Sequence, residues 1–203
     1  NLIFNDMRFK FDPHQIYMLK NFSANEVEKF FETLIFEFEE HRNTIFINGT
    51  ALEKIANSDL RKTIFYIPKE GDFFNGTILE NISLFSENNQ LAELCASLLS
   101  LDSYYNELKD GYETTLNTEA LENLPISLLQ RIQLARALYF RPKILLIDKI
   151  DQDMDQETKE IFKNTLHRLK TEMTIIFASD LNYENTFYDF DLRLQDGKLR
   201  INI

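Results

Sequence analysis

Side chains capable of chemistry gather at a few places in this chain. The apolar run Ile144–Ile147 ends in Asp148, followed by Lys149. A carboxylate at the end of a buried strand is a candidate ligand for a divalent cation, although a lone Asp there reads first as structural. Lys149 is a cation at neutral pH and no general base unless strongly perturbed. Ser23-Ala-Asn-Glu26 stands directly before residues with a helical apolar period. It is the S-x-x-E capping box, in which hydroxyl and carboxylate satisfy the N–H groups at a helix start. Ser127-Leu-Leu-Gln130 repeats the pattern as S-x-x-Q. Free N–H groups at a helix start bind phosphates, and groups already capped do not. Glu26 and Glu28 place negative charge at the same helix end, worth about 0.3–1 kcal/mol each to the helix and repulsive to an anion. The first glycine of the chain is Gly49, so no glycine-rich loop precedes that helix to wrap a phosphate. His14, His41 and His167 are scattered and read as ordinary surface or helix residues. Asp155 reads as a helix N-cap.

The elements that must position these residues follow from periodicity. Met7–Phe11 and Ile16–Leu19 read as strands joined by a turn at Asp12–Pro13. Over Ser23–Glu40, Val27, Phe30, Phe31, Leu34 and Phe38 recur at three and four and predict a helix with one apolar face. Ile35 and Phe36 fall off that stripe and mark a candidate docking face, and Glu37, Glu39 and Glu40 with His41-Arg42 read as a solvated end. Thr44–Ile47 and Thr63–Ile67 predict strands, closed by Asn48–Gly49 and by Pro68. Gln90–Leu101, Ser127–Phe140 and Asp155–Lys170 predict helices. Ile144–Ile147 and Thr174–Phe177 are continuous apolar runs, as in strands of a parallel sheet buried on both faces. Leu192–Ile203 reads as a hairpin turning at Asp196–Gly197. Alternating strands and helices imply an α/β fold with a mostly parallel sheet, and the largely helical stretch of about 74–139 a smaller lobe.

Composition narrows the function. The 203 residues suit a single domain. Thirty-three acids against 22 bases leave a net charge of −11, which argues against a nucleic-acid partner, since affinity for phosphates rests on Lys and Arg. The lone Cys95 excludes an internal disulfide framework and a cysteine-based zinc site. No apolar run is long enough to span a membrane. The chain begins at Asn1 rather than Met, so a fragment of a longer protein is expected.

Taken in order, several phrases resemble the nucleotide-binding domain of ABC transporters. Ile45–Thr50 is similar to the strand and turn after the family's phosphate-loop helix. Phe65–Glu70 resembles the strand leading into its glutamine loop. Phe74-Asn-Gly-Thr-Ile-Leu-Glu-Asn-Ile82 resembles the phrase that exporters carry after that loop. Gly111–Thr114 resembles the approach to the signature sequence, and Arg131–Leu138 the helix after it. Pro142–Asp148 is similar to the Walker B strand, and Asp196–Leu199 to the late hairpin. The resemblance covers nearly the whole chain and implies a P-loop-NTPase-like core with a helical lobe.

The residues that the resemblance would make functional are replaced. The phosphate loop counts onto Asn21–Glu28, which places Val27 at its Lys, Glu28 at its Mg²⁺-ligating Ser/Thr, and Glu26 beside them. The signature falls on Leu124–Leu128, with Pro125, Ile126 and Ser127 in place of its serine and glycines. Lys69 stands for the loop glutamine, Lys149 for the catalytic glutamate and Ser179 for the switch histidine. Asp148 is the surviving metal candidate, and Asp155 keeps the last residue of the loop that meets a partner subunit. In this family each ATP is held between one chain's phosphate loop and the other's signature, so a chain altered at both would damage both sites.

The resemblance therefore implies a catalytically degenerate domain of a membrane exporter, structural or regulatory rather than hydrolytic, with peptide or protein secretion as a cargo class. No cofactor is expected; the alternative is a divergent active ATPase using ATP and Mg²⁺. The implied partners are the transmembrane domain of the same transporter, from helices upstream of this fragment, and a dimer with itself or a related domain. The implied location is the cytoplasmic face of the membrane. A soluble α/β binding protein with unrelated partners is the third reading.

Overall fold

The computed structural model describes residues 8–35, 45–104, 108 and 110–202. In chain order the elements are β1 (Ile16–Lys20), α1 (Ala24–Ile35), β2 (Phe46–Ile47), β3 (Thr50–Ala51), α2 (Asn57–Thr63), β4 (Ile64–Ile67), β5 (Gly76–Thr77), α3 (Ile78–Ser83), α4 (Asn89–Leu98), β6 (Thr115–Leu116), α5 (Thr118–Asn123), α6 (Ile126–Phe140), β7 (Ile144–Asp148), α7 (Gln156–Leu169), β8 (Thr174–Ser179), β9 (Phe190–Gln195) and β10 (Lys198–Asn202). Short 3₁₀ turns occupy Leu52–Lys54, Leu101–Tyr104 and Gly111–Glu113.

A six-stranded sheet in the order β10-β9-β1-β8-β7-β4 forms the centre. Its first five strands in sequence pair in parallel, and β10 closes antiparallel on β9 through the Asp196–Gly197 turn. Both turn residues have positive φ, the conformation that suits a two-residue hairpin. Two small antiparallel pairs, β2 with β3 and β5 with β6, lie apart from it.

Alternation along β1 shows how the layers divide. Ile16 and Met18 face a large core shared with Leu79, Ile132, Ala135, Phe162 and Leu166, on helices α3, α6 and α7. Tyr17 and Leu19 face the opposite layer with Val27, Phe30 and Phe31 of α1. The sheet is thus covered on both faces, which is why β7 and β8 read as unbroken apolar runs. Fully burying residues of this size contributes about 1.5–3 kcal/mol each, so α1 is held by its stripe rather than by intrinsic propensity.

Several expectations change. Residues 8–11 are irregular rather than a strand; Phe9 and Phe11 pack on the α1 layer instead. Ile35 also packs partly on that layer rather than presenting a docking face, while Phe36, Phe38, Glu37, Glu39, Glu40, His41, Arg42, Met7 and Thr44 lie outside the described residues. Thr63 ends α2 instead of opening the strand. From residue 74 to 139 the described elements are four helices, α3 to α6, with the β5–β6 pair and short turns; they share the large core with the sheet.

Candidate functional site

In open parallel α/β sheets, ligands bind outside the carboxyl ends of the strands. Here that region is framed by the ends of β1, β7, β8 and β4. The connection from β1 to α1 is only Asn21, Phe22 and Ser23; the glycine-rich phosphate loop is an eight-residue motif ending in Gly-Lys-Ser/Thr at a helix start, and no glycine stands in the corresponding stretch. Asn21 takes the left-handed conformation, with φ of 62°, and turns the chain directly into the helix. The capping box forms there. Ser23 donates from its N and Oγ to Glu26 Oε2 at 2.7 and 2.8 Å, and Glu26 N donates to Ser23 Oγ at 3.3 Å. Val27 N donates to the Ser23 carbonyl at 3.1 Å. Val27 itself lies in the α1 core layer, and Glu28 is exposed.

Asp148 is half-buried at the end of β7, and Tyr66 OH donates to its Oδ2 at 3.4 Å. Burial pushes the carboxyl up from its ordinary value; Tyr66, Lys149 and Lys69 pull it back, and Glu28 adds to the rise. The Tyr66 phenol is raised by burial and by the charges of Asp148, Glu28 and Glu32. Lys69, on the bend after β4, is exposed. Among the described residues, no group of three or more His, Cys, Asp or Glu is arranged to hold a metal ion.

Lys149 has φ of 44°, which costs a non-glycine residue about 1–2 kcal/mol. Its backbone N–H donates to Ala178 O at 3.1 Å. Its buried ammonium donates to Phe22 O at 2.9 Å and to both carboxylate oxygens of Asp180 at 2.9 Å. Asp180 also accepts from Gln152 Nε2 at 2.7 Å. Ser179 is wholly buried; its Oγ donates to Asp151 Oδ2 at 2.5 Å and accepts from Leu181 N at 3.0 Å. Tyr183 OH donates to the same Asp151 oxygen at 2.7 Å, and Asp151 Oδ1 has no partner. Burial raises the Asp151 carboxyl and the Tyr183 phenol alike.

The second expected capping box does not form. Helix α6 starts one residue earlier, at Ile126, with Pro125 as its N-cap and no side-chain cap. Ser127 therefore sits within the first turn, where Tyr104 OH donates to its Oγ at 2.7 Å. Gln130 turns inward and donates to Ile150 O at 2.7 Å. Pro125, with ψ of 136°, stands outside the helix, and the chain enters it at Ile126. Ile126 is exposed. Asp155 is the N-cap of α7 as expected, accepting from Thr158 N at 2.7 Å, and its carboxyl is lowered mainly by that bond. His14 and His167 are exposed, the latter stacked on Phe187 at 5.7 Å between ring centroids.

The inward face of α6 carries polar groups that sequence reasoning missed. Arg131, almost fully buried, donates to Thr158 Oγ1 at 3.0 Å and Ser100 O at 3.3 Å, pairs with Glu157 at 3.2 Å, and lies over Tyr104. Gln133 donates to Pro68 O at 3.3 Å. Arg136 donates to Asp72 O at 2.7 Å and to Asn81 O at 2.6 Å, and burial pulls its guanidinium down to about 10. Asn81 in turn exchanges bonds with both Phe74 N and Phe74 O. Gly71 lies so close that a Cβ there would stand 2.1 Å from Gln133 Nε2. Asp180, Asp151 and Tyr183 were missed as well. The available signal for Asp180 was that it follows one buried strand end just as Lys149 follows another.

No family model matches the chain. It is 26% identical over 201 residues, 97% of its length and 34% of the relative, to a putative export ATP-binding/permease protein of Rickettsia typhi. It is 30% identical over 156 residues to an uncharacterized ABC transporter ATP-binding protein of Bacillus subtilis, covering 76% of this chain and 27% of that one. It is 33% identical over 146 residues to the lactococcin-A transport/processing ATP-binding protein of Lactococcus lactis, covering 70% and 20%. The chain thus spans about a third or less of these relatives. Among solved structures, a bacterial Atm1-family ABC exporter with ATP bound superposes with a TM-score of 0.84 at 22% identity, over 97% of this chain and 35% of that one; this likeness shows the fold.

Proposed function

Because the chain belongs to the exporter type of ABC transporter nucleotide-binding domains, we propose that it is a catalytically degenerate member, structural or regulatory rather than hydrolytic. The observation that carries this reading is the three-residue β1–α1 connection closed by its own capping box. At this helix start Ser23 N is bonded to the Glu26 carboxylate, Glu26 N to Ser23 Oγ and Val27 N to Ser23 O, and Glu26 and Glu28 add charge of the wrong sign. At about 4 Å each unit repulsion costs roughly 1 kcal/mol in water and about 4 kcal/mol near a protein surface. A millimolar ligand is held by only about 4 kcal/mol, so these residues do not fit a magnesium–nucleotide complex.

The replaced catalytic positions support the same reading. Lys149 and Ser179 are each bonded to protein partners, and Lys69 points no carboxamide at the site. Pro125, Ile126 and Ser127 offer no glycine turn to a partner's ligand. Asp148 is the one observation favouring a divergent working ATPase.

The wider role rests on the relatives, among which are export proteins that combine ATP-binding and permease parts. We assign this chain a transmembrane domain of the same transporter as partner, pairing with a second copy or a related domain, and a place on the cytoplasmic face of the membrane. Its largely helical stretch of about 74–139 acts as the smaller lobe. Secretion is the cargo class in keeping with the lactococcin relative. Among the described residues no helix is long and apolar enough to cross a membrane.

Isothermal titration of the chain with Mg-ATP tests the proposal. No binding tighter than about 1 mM is expected. A dissociation constant below about 100 μM, or turnover that vanishes in an Asp148→Asn variant, would establish the working ATPase instead.

A further inference from the structure

The carboxyl ends of β1, β7 and β8 are joined by one side chain. Lys149 stands just past β7, Phe22 just past β1 and Asp180 just past β8. An ammonium has three N–H donors and no acceptor. Here three acceptors surround it at 2.9 Å: the Phe22 carbonyl and both oxygens of Asp180. The Phe22 carbonyl takes one side of the ammonium and the two Asp180 oxygens, close together on one carboxylate, share another. The ammonium end is buried, whereas Asp180 is half exposed, at 47%, and is steadied from the solvent side by Gln152. The bonds span 127 and 31 residues of sequence and add a side-chain tie to strand ends that the sheet already pairs in parallel. The left-handed backbone at Lys149 shows that the fold holds this residue in place against its conformational preference.

We infer that Lys149 is an internal latch, an ammonium that closes the strand-end crevice from within and fixes the β1–α1 connection to β8 without any ligand. The inference rests on the degenerate reading above and gives it a cause: the contact that a bound ligand would make between these strand ends is made by the chain itself. A latch of this kind keeps the domain in one arrangement whatever the nucleotide concentration.

Hydrogen exchange read by mass spectrometry on the 203-residue chain tests it. In Lys149→Met, peptides spanning Asn21–Val27 and Ser179–Tyr183 should both exchange about tenfold faster, and in Asp180→Ala the Ser179–Tyr183 peptide should do so, with Gln156–Leu169 unchanged in both. The double variant should exchange no faster than Lys149→Met alone, which already removes the contacts to both Phe22 and Asp180. Wild-type rates in both segments of either variant, or effects that add in the double variant, would overturn the latch. Should Lys149→Met fail to fold, Asp180→Ala, altered on the solvent side, carries the test. A parallel arm adds about 1 mM Mg-ATP to the unaltered chain. Protection of Asn21–Val27 there would end the degenerate reading, and the variants would still judge the latch.

Discussion

Restoring the family's residue types at the count of the phosphate loop should fail in an instructive way. The double variant Val27→Lys with Glu28→Thr puts a lysine and a hydroxyl where the resemblance expects them. Val27, however, is the fourth residue of α1 and 0% exposed, packed with Tyr17, Leu19, Phe30 and Phe31. Losing its burial costs about 1.5–3 kcal/mol. An ammonium forced into that apolar layer costs several kcal/mol more unless it neutralises. The sum, about 4–8 kcal/mol, removes much of a total stability of roughly 5–15 kcal/mol. At about 2–4 °C per kcal/mol for a chain of this size, the melting midpoint should fall by about 10–25 °C. Glu28→Thr alone, on the exposed side, should stay within about 0.5 kcal/mol of the parent. Circular dichroism melts and titration with Mg-ATP give both readouts. A double variant that melts within about 2 °C of the parent and binds Mg-ATP below about 100 μM would refute the reasoning, since the introduced lysine would then reach the strand ends.

Ser23→Ala removes the cap of α1 and should cost about 1 kcal/mol, read as a drop of about 2–4 °C in the melt; an unchanged midpoint would show that the box does not anchor the helix. Burial holds the Asp151 carboxyl above its ordinary range, so the folded chain keeps that proton to higher pH than the unfolded chain does. Its contribution to stability is full below the unfolded value and declines as pH rises through the raised one. Asp151→Asn cannot titrate, so urea melts should show it gaining on the parent as pH rises above the ordinary carboxylate range; a constant gap would exclude burial as the cause. Gly71→Ala should displace Gln133 from Pro68 O and cost about 1–2 kcal/mol, and the cost should shrink in a Gln133→Ser background, as a double-mutant cycle on urea melts would record.

What the sequence disclosed depended on how local each feature is. The runs Ile144–Ile147 and Thr174–Phe177 announced a parallel sheet because strands covered on both faces need apolar residues at every position. The α1 stripe was equally plain, and so was its cap, since Ser23 and Glu26 bond across a single turn. The elements β5 and β6 were not legible, because Gly76 and Leu116 find each other only after the chain between them, α3 and α4 included, has folded. Helix α2 escaped notice because Leu60 is its one buried residue. The false cap at Ser127 followed from reading a local pattern where Pro125 had already set the helix start. At the site, the resemblance proposes positions by counting from motifs, but it could not give the partners of Lys149 and Ser179. Phe22, Asp180, Asp151 and Tyr183 reach them through the pairing of β1, β7 and β8, which is tertiary information.

Helix α6 holds the segment after β4 by main-chain oxygens at both ends, through Gln133 on Pro68 and Arg136 on Asp72. Further along, Arg136 and Phe74 share Asn81. Such attachments do not depend on which side chains the segment displays. Residues 68–74 are thus fastened to α6, whose opposite end carries Ile126 to the surface. The side chain at position 69 can therefore change without loosening this strap.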